Sequence, residues 1–372
     1  MQPNPLADAP RLLVVAGLLA LVGCSDDSPT SFDDPDGLPD AGAVCNLDTD
    51  LLATSLPPDR IPALTEPTQV SDGSPEAAYL RPADKVLGLV LNGQPRAYPH
   101  NILWHHEIIH DRFGSEWVTV TFCPLTGSGL AFDPSSATGN RLDLGVSGLL
   151  YANNLVMYDR ESGDIFGPQL TANGRCSGFQ GQRLEPIPVV ETSWARWKAL
   201  HPSTTVVGSE TGHDRNYQVY PYQSYDQLTN DDLLFPMPVN TQRPIKERVL
   251  LARADATAGR GWPFGELRSL GARAAINEEV GGEAVVVFWE AEDDGTAALY
   301  RAPTVEGEQL TFHSDGTSFV DDQTGTRWDI LGRATEGPLV GMELEQQADS
   351  YVLFWFAYAF FQPDATTYGM EG

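Results

Sequence analysis

One pattern runs through this chain twice in the same order, and it narrows the fold more than any single motif does. The first occurrence includes Ile109-His110-Asp111-Arg112-Phe113-Gly114, then Ser115-Glu116-Trp117-Val118-Thr119-Val120. It matches Ile276-Asn277-Glu278-Glu279-Val280-Gly281, then Gly282-Glu283-Ala284-Val285-Val286-Val287. Each reads as strand, glycine turn, strand. Tyr158-Asp159-Arg160-Glu161-Ser162-Gly163 then matches Val320-Asp321-Asp322-Gln323-Thr324-Gly325, an acidic turn after an apolar stretch. Finally, residues 193–208 match 354–369, with Trp194 on Trp355, Trp197 on Tyr358 and Pro202 on Pro363. In both, an aromatic helix is stopped by proline, which lacks an N–H and clashes with a preceding turn.

The local signals between these landmarks are mostly β. Val86 to Leu91 is a short apolar strand, and Asn92-Gly93 is a strong hairpin signal. Arg96 to Tyr98 continues the ladder, and Pro99 suits the start of a short helix over 101–105. A second hairpin spans about 107–122, with further strands near 142–146 and 155–158. The expected fold is α+β and β-rich, two tandem degenerate repeats each with hairpins and a terminal aromatic helix. Its boundaries are 60–210 for the first repeat, 211–245 for a Tyr/Pro-rich linker and 246–372 for the second.

The N-terminal residues point to export. One cation, Arg11, precedes an apolar run from Leu12 to Leu21, and Leu21-Val22-Gly23-Cys24 follows. This three-part layout is that of a signal peptide over 1–23. The run is shorter than the roughly 20 residues that span a bilayer. The Leu-x-Gly-Cys ending resembles the bacterial lipobox. That implies cleavage before Cys24, a lipid such as palmitate on its thiol, and a place on the cell envelope, the outer membrane favoured by Ser25. Residues 24–59, rich in Asp, Pro, Ser and Gly, read as a tether. Tyr351 to Phe361 is the most apolar later run; its eleven residues read as a buried helix rather than a span.

A formal charge of −28 with only three lysines, Lys85, Lys198 and Lys246, repels phosphate backbones and excludes nucleic acid as a natural partner. The expected partners are the membrane, through the lipid, and an envelope protein or small molecule. Beyond Cys24, Cys45, Cys123 and Cys176 remain. Export permits a disulfide, and an odd count leaves at least one thiol unpaired; Cys123 could be free or joined to either of the others.

Three constellations carry chemistry. His106-Glu107-Ile108-Ile109-His110 matches the zinc-peptidase pattern His-Glu-x-x-His, which needs one helix through all five residues. The hairpin signals around it argue against that helix. On a strand its two histidines would stand roughly 13 Å apart at about 3.3 Å per residue. The second set is His106, Cys123 and Met157, donors suited to copper. The second repeat has Arg273, Glu290 and Phe319 at these positions, so the scaffold does not need the soft donors. The third is Tyr217, Tyr220, Tyr222 and Tyr225 in the linker, rings able to stack on a ligand.

Several stretches form one series: Ile61-Pro62-Ala63-Leu64, Val86-Leu87-Gly88, Arg96-Ala97-Tyr98-Pro99, His106-Glu107-Ile108, Thr121-Phe122-Cys123-Pro124-Leu125, 145–151, and Met157-Tyr158-Asp159-Arg160. It resembles the bacterial and archaeal domain-of-unknown-function family 3179 from about Ile61 to Gly369. The resemblance assigns no activity. It marks His106, Glu107 and Cys123 as positions that match the family pattern. The family usually has a second cysteine where this chain has Thr126, which weighs against a dithiol site. It also usually has Asn where His110 stands.

The reading that follows is an envelope lipoprotein with a copper-type or redox site in the first repeat, on Cys123, His106 and Met157, with Glu107 orienting His106. The alternatives are a non-catalytic binding module, its halves enclosing a cleft lined by the tyrosine segment, and a thiol enzyme with Cys123 as nucleophile and His106 as base.

Overall fold

The computed structural model describes residues 41–370; Cys24 and the signal-peptide segment lie outside them. The described chain is β-rich, and its longest helices have seven residues. None is long and apolar enough to cross a membrane.

The hairpin signals fold as expected. Lys85–Leu91 and Gln94–Pro99 pair in antiparallel register around Asn92-Gly93, both at positive φ. Pro99 caps a helix over His100–His106. Ile108–Phe113 and Glu116–Cys123 form the second hairpin, and Ser128–Asp133 adds a third strand. Beyond it, Leu144–Tyr151 pairs with Asn154–Asp159.

The sheet holding the first hairpin runs Val190–Ser193, Lys85–Leu91, Gln94–Pro99, Thr205–Val207, then Gln69–Val70. Its first two contacts are antiparallel and the third is parallel. Residues after 246 build a sheet of Ser350–Phe354, Arg248–Arg253, Gly259–Pro263 and Thr366–Thr367, with the same three directions in the same order. Each has an aromatic helix after its edge strand, Trp194–Leu200 and Trp355–Phe361. The first is capped by Ser193, whose hydroxyl accepts the Arg196 N–H at 3.1 Å. Trp197 lies so close over Gly88 that a Cβ there would meet its ring at 2.3 Å.

Two expectations need correction. The run 351–361 is not one helix: Tyr351–Phe354 belongs to a strand, and the helix starts at Trp355. Burial on both faces gives such a strand a continuous apolar pattern, which periodicity cannot separate from a buried helix. The tether, expected to reach residue 59, gives way to folded structure earlier. Leu52–Thr54 pairs with Leu149–Tyr151, Ser55 Oγ donates to the Gly148 carbonyl, and Cys45 forms a disulfide with Cys176. The polar composition of the segment masks the few apolar residues that dock it.

Strands before residue 211 and strands after residue 246, called the two halves below for their place in the chain, meet along a crossed seam. The edge strand of each half packs against the third strand of the other half's hairpin sheet: Val190–Ser193 on Thr296–Arg301, and Ser350–Phe354 on Ser128–Asp133. Thr192 and Thr296 share a hydroxyl hydrogen bond of 2.7 Å, and the Phe354 N–H donates to the Thr126 carbonyl at 2.9 Å. Residues 211–245 contain no helix or strand, and Tyr220 and Asp226 from this segment lie beside Phe354 at the seam.

Candidate functional site

Cys123 ends the Glu116–Cys123 strand, just before the Pro124–Gly127 turn. It is free and buried. Its Sγ accepts the Leu155 N–H at 3.4 Å and donates to the Asn153 carbonyl at 3.5 Å. Burial pushes the thiol up to about 11, and nearby Glu107 adds to the rise. A thiol this weakly acidic stays protonated at neutral pH and is a poor nucleophile.

Glu107 sits where the His100–His106 helix turns into the Ile108–Phe113 strand, at φ 55°. Left-handed backbone costs a non-glycine residue about 1–2 kcal/mol. It is held from both sides: the Glu107 N–H donates to the Leu103 carbonyl at 2.9 Å, and the Glu107 carbonyl accepts the Phe122 N–H at 2.7 Å. The residue is 5% exposed. Burial raises its carboxyl to about 8, so it is a neutral acid at pH 7.

The tyrosine segment covers this pair. Tyr225 belongs to the apolar cluster that contains Cys123, and Tyr220 and Tyr222 pack against it. All three phenols lie within electrostatic reach of the thiol. Tyr225 Oη donates to the Leu125 carbonyl at 3.0 Å. The fold therefore joins two sets that stand about a hundred residues apart in sequence. Tyr217 is the exception: it is buried and holds His106 and Thr211 through its hydroxyl.

The His106–Cys123–Met157 metal set is not assembled. Both ring nitrogens of His106 are committed, Nδ1 to the Pro62 carbonyl and Nε2 to Tyr217 Oη, each at 2.7 Å. Burial depresses its pKa to about 4. Met157 is fully buried within its sheet, opposite Val146 and Gly167. Among the described residues no group of three or more His, Cys, Asp or Glu side chains is placed to hold a metal ion. The copper expectation gains no support, because His106 has no ring nitrogen left for a metal. The same geometry removes the thiol-enzyme pair, since His106 makes no hydrogen bond to Cys123. The zinc pattern breaks as foreseen: His106 ends a helix, while His110 lies in a strand and bonds Thr119 and the Leu144 carbonyl.

The seam beside Cys123 opens into a cleft of about 130 Å³. Phe122, Pro124 and Gly127 line it from the Cys123 turn, Tyr220 and Asp226 from the linker, and Phe354 from the second half. His100 is buried, its ring 4.2 Å from that of Phe122. His100 Nε2 has no hydrogen-bond partner and lies 3.7 Å from Glu191 Oε2. Burial lowers His100 to about 4, so the ring is neutral at pH 7. Arg248 bonds Glu191 Oε1 and reaches Asp294 Oδ2 at 3.1 Å. Lys85 donates to the carbonyls of Asp293 at 3.0 Å and Gly295 at 3.2 Å. Burial, then Arg248, lowers it to about 7. Trp104 completes the wall, its ring edge-on to Tyr220 at 4.9 Å.

Sequence reasoning placed Tyr220 here and missed Lys85, His100, Trp104, Glu191, Arg248 and Asp294. One signal was present: a chain with 51 acidic residues retains three lysines, and Lys85 is one of them. No other local pattern marks these positions, because the cleft forms only when the halves meet.

No curated protein and no solved structure matches the chain. A family model does match, over residues 58–365, most of the chain. The Cys123 turn, Glu107 and most of the seam lie inside that span, and the chain belongs to the family described as protein of unknown function DUF3179.

Proposed function

We propose that this protein is a cell-envelope lipoprotein, held by lipid on Cys24, whose folded body binds a small polar molecule in the seam cleft. One observation carries the binding reading: a buried histidine nitrogen without a hydrogen-bond partner in the wall of a cleft that also presents Trp104 and Tyr220. An unsatisfied buried polar group costs roughly 1–3 kcal/mol, and a ligand that satisfies it recovers that energy. Aromatic walls with a few convergent polar groups are the usual make-up of a small-molecule site. Cys123 and Glu107, both neutral, support the turn that floors the cleft.

We also infer that the two halves are copies of one unit. Their matching strand orders support this, and so does the equivalence of Lys85 and Arg248. Lys85 pairs with Ser193, immediately before Trp194; Arg248 pairs with Phe354, immediately before Trp355. Both reach the Asp293–Gly295 turn. On this view duplication made the cleft, and divergence of the linker furnished its tyrosines.

The test is a thermal-shift screen of small amines, carboxylates, alcohols, sugars and amino acids against the protein and its Trp104→Ala and Tyr220→Ala variants. A binder present at a hundred times its Kd adds about 2.7 kcal/mol to stability. The expected result is one class that raises the Tm of the parent by several degrees and leaves the variants unmoved. If no compound separates parent from variants, the binding reading is wrong.

A further inference from the structure

The cleft's charges and rings select among small molecules. Three carboxylates, Glu191, Asp226 and Asp294, face two cations, Lys85 and Arg248. Both cations are already committed to protein acceptors: Arg248 to Glu191 and Asp294, Lys85 to the Asp293 and Gly295 carbonyls. An anion would have to compete with these acceptors for either of them. The groups left over are acceptors. His100 Nε2 has no hydrogen-bond partner, and with the proton of the neutral imidazole on Nδ1 it is an acceptor. Glu191 Oε2 lies 3.7 Å from it. An N–H-bearing cation between the two would satisfy both. Trp104, Phe122, Tyr220 and Phe354 line the cleft, and aromatic rings attract a cation over their faces.

The molecule already holds a lysine amine in this way next to the cleft, lowered to about 7 by burial and held partly charged by Asp232 and Asp226. Lys246 is buried, with Nζ 3.2 Å from the centroid of Tyr225, 5.3 Å from Phe356 and 5.7 Å from Phe354. It donates to the Asp232 carbonyl at 2.9 Å. Phe354 lines the cleft as well, and Tyr225 comes from the segment that supplies Tyr220. The same elements that cage an internal amine thus extend to the cleft, where Arg248 takes Glu191 Oε1 and His100 Nε2 is left without a partner. The chain's net charge of −28 raises the local concentration of cations around the cleft.

We infer that the cleft binds a small protonated amine, its N–H groups directed at His100 Nε2 and Glu191 Oε2 and its carbon chain against Trp104 and Tyr220. This rests on the binding reading above and names its ligand class. The volume of about 130 Å³ limits the occupant to a handful of non-hydrogen atoms.

Calorimetric titration of the full chain with n-butylammonium chloride, 1-butanol and sodium butyrate at matched ionic strength tests this. The three probes share a carbon chain and differ in charge. The expected result is butylammonium binding at least tenfold tighter than butanol, with no butyrate binding. Glu191→Gln and His100→Phe should each weaken the amine tenfold or more. Because either change touches the seam, Tyr220→Leu serves as a second variant: it keeps an apolar wall, so amine affinity should fall several-fold while butanol affinity holds. Butanol or butyrate binding as tightly as the amine, or Tyr220→Leu weakening all three alike, would overturn the amine class and leave a binding cleft in place. Absence of binding by all three probes to folded protein would also overturn it, while the wider screen decides separately whether the cleft binds anything.

Discussion

Gly127 lies directly beneath the ring of Phe354, and a Cβ added at Gly127 would stand 2.7 Å from the nearest ring carbon. Gly127 belongs to the Cys123 turn and Phe354 to the edge strand of the other half, so the halves are locked at this contact. The residue also has φ +59°, where an L side chain is strained. Gly127→Ala combines left-handed strain of about 1–2 kcal/mol with overpacking of about 1–3 kcal/mol. The variant should lose about 2–4 kcal/mol in urea denaturation. A loss below about 0.5 kcal/mol would mean that the seam opens easily and does not define a fixed cleft.

The Cys45–Cys176 disulfide spans 131 residues of sequence and pins the 41–59 segment to the body. Closing a loop of that size removes unfolded-state entropy worth about 5 kcal/mol in the chain-entropy model. Reduction, or the Cys45→Ala/Cys176→Ala double variant, should therefore lower stability by about 2–5 kcal/mol. Denaturation with and without reductant measures it. Equal midpoints would show that the segment adds nothing to the folded body.

Glu107 gives the protein a pH-dependent stability of predictable sign. Its carboxyl is raised from 4.5 to about 8 by burial. Between those values the folded chain holds a proton that the unfolded chain has released. Stability is complete below the unfolded pKa and falls as pH rises toward about 8, by at most about 1.4 kcal/mol per pH unit. Glu107→Gln keeps the neutral shape and removes the titration. Its stability should fall less than the parent's between pH 5 and pH 8; parallel curves would place the carboxyl in water.

Cys123 should be chemically quiet. With the thiol pushed up to about 11 by burial and Glu107, its thiolate fraction at pH 8 is about a thousandth, against roughly a quarter for an unfolded cysteine. Modification by a disulfide reagent at pH 8 should be at least a hundredfold slower in the native protein than in urea. Rapid modification of the native thiol would reopen the thiol-enzyme reading, with a base other than His106.

How much of this was legible in the sequence depended on distance along the chain. Asn92-Gly93, Pro99 and Pro202 act on their immediate neighbours, and the hairpins and helix ends they announce are where they should be. The site was legible only in pieces. Cys123, Glu107 and the tyrosine segment each stood out, but the packing of Tyr222 against Cys123 is decided by how the linker crosses the seam. For His106 residue type says nothing of direction: beside the positive-φ backbone of Glu107, its imidazole turns to Pro62 and Tyr217. Glu191, in a Val-Glu-Thr-Ser strand, has no local mark at all; its role comes from Arg248, on a strand of the other half.

The lipid on Cys24 remains the proposal that sets where all of this chemistry takes place. A polar stretch of Asp, Pro and Ser directly after the cysteine suits a body held away from a membrane surface. Two acyl signals anchor a protein stably, whereas one binds reversibly. In a bacterial host the parent should partition into detergent after phase separation and incorporate labelled palmitate. Cys24→Ala should lose the label and move to the aqueous phase, while its body keeps the parent's melting temperature. Label retained in Cys24→Ala would place the lipid on another residue; a parent that carries no label and stays aqueous would make the protein a secreted rather than an anchored one.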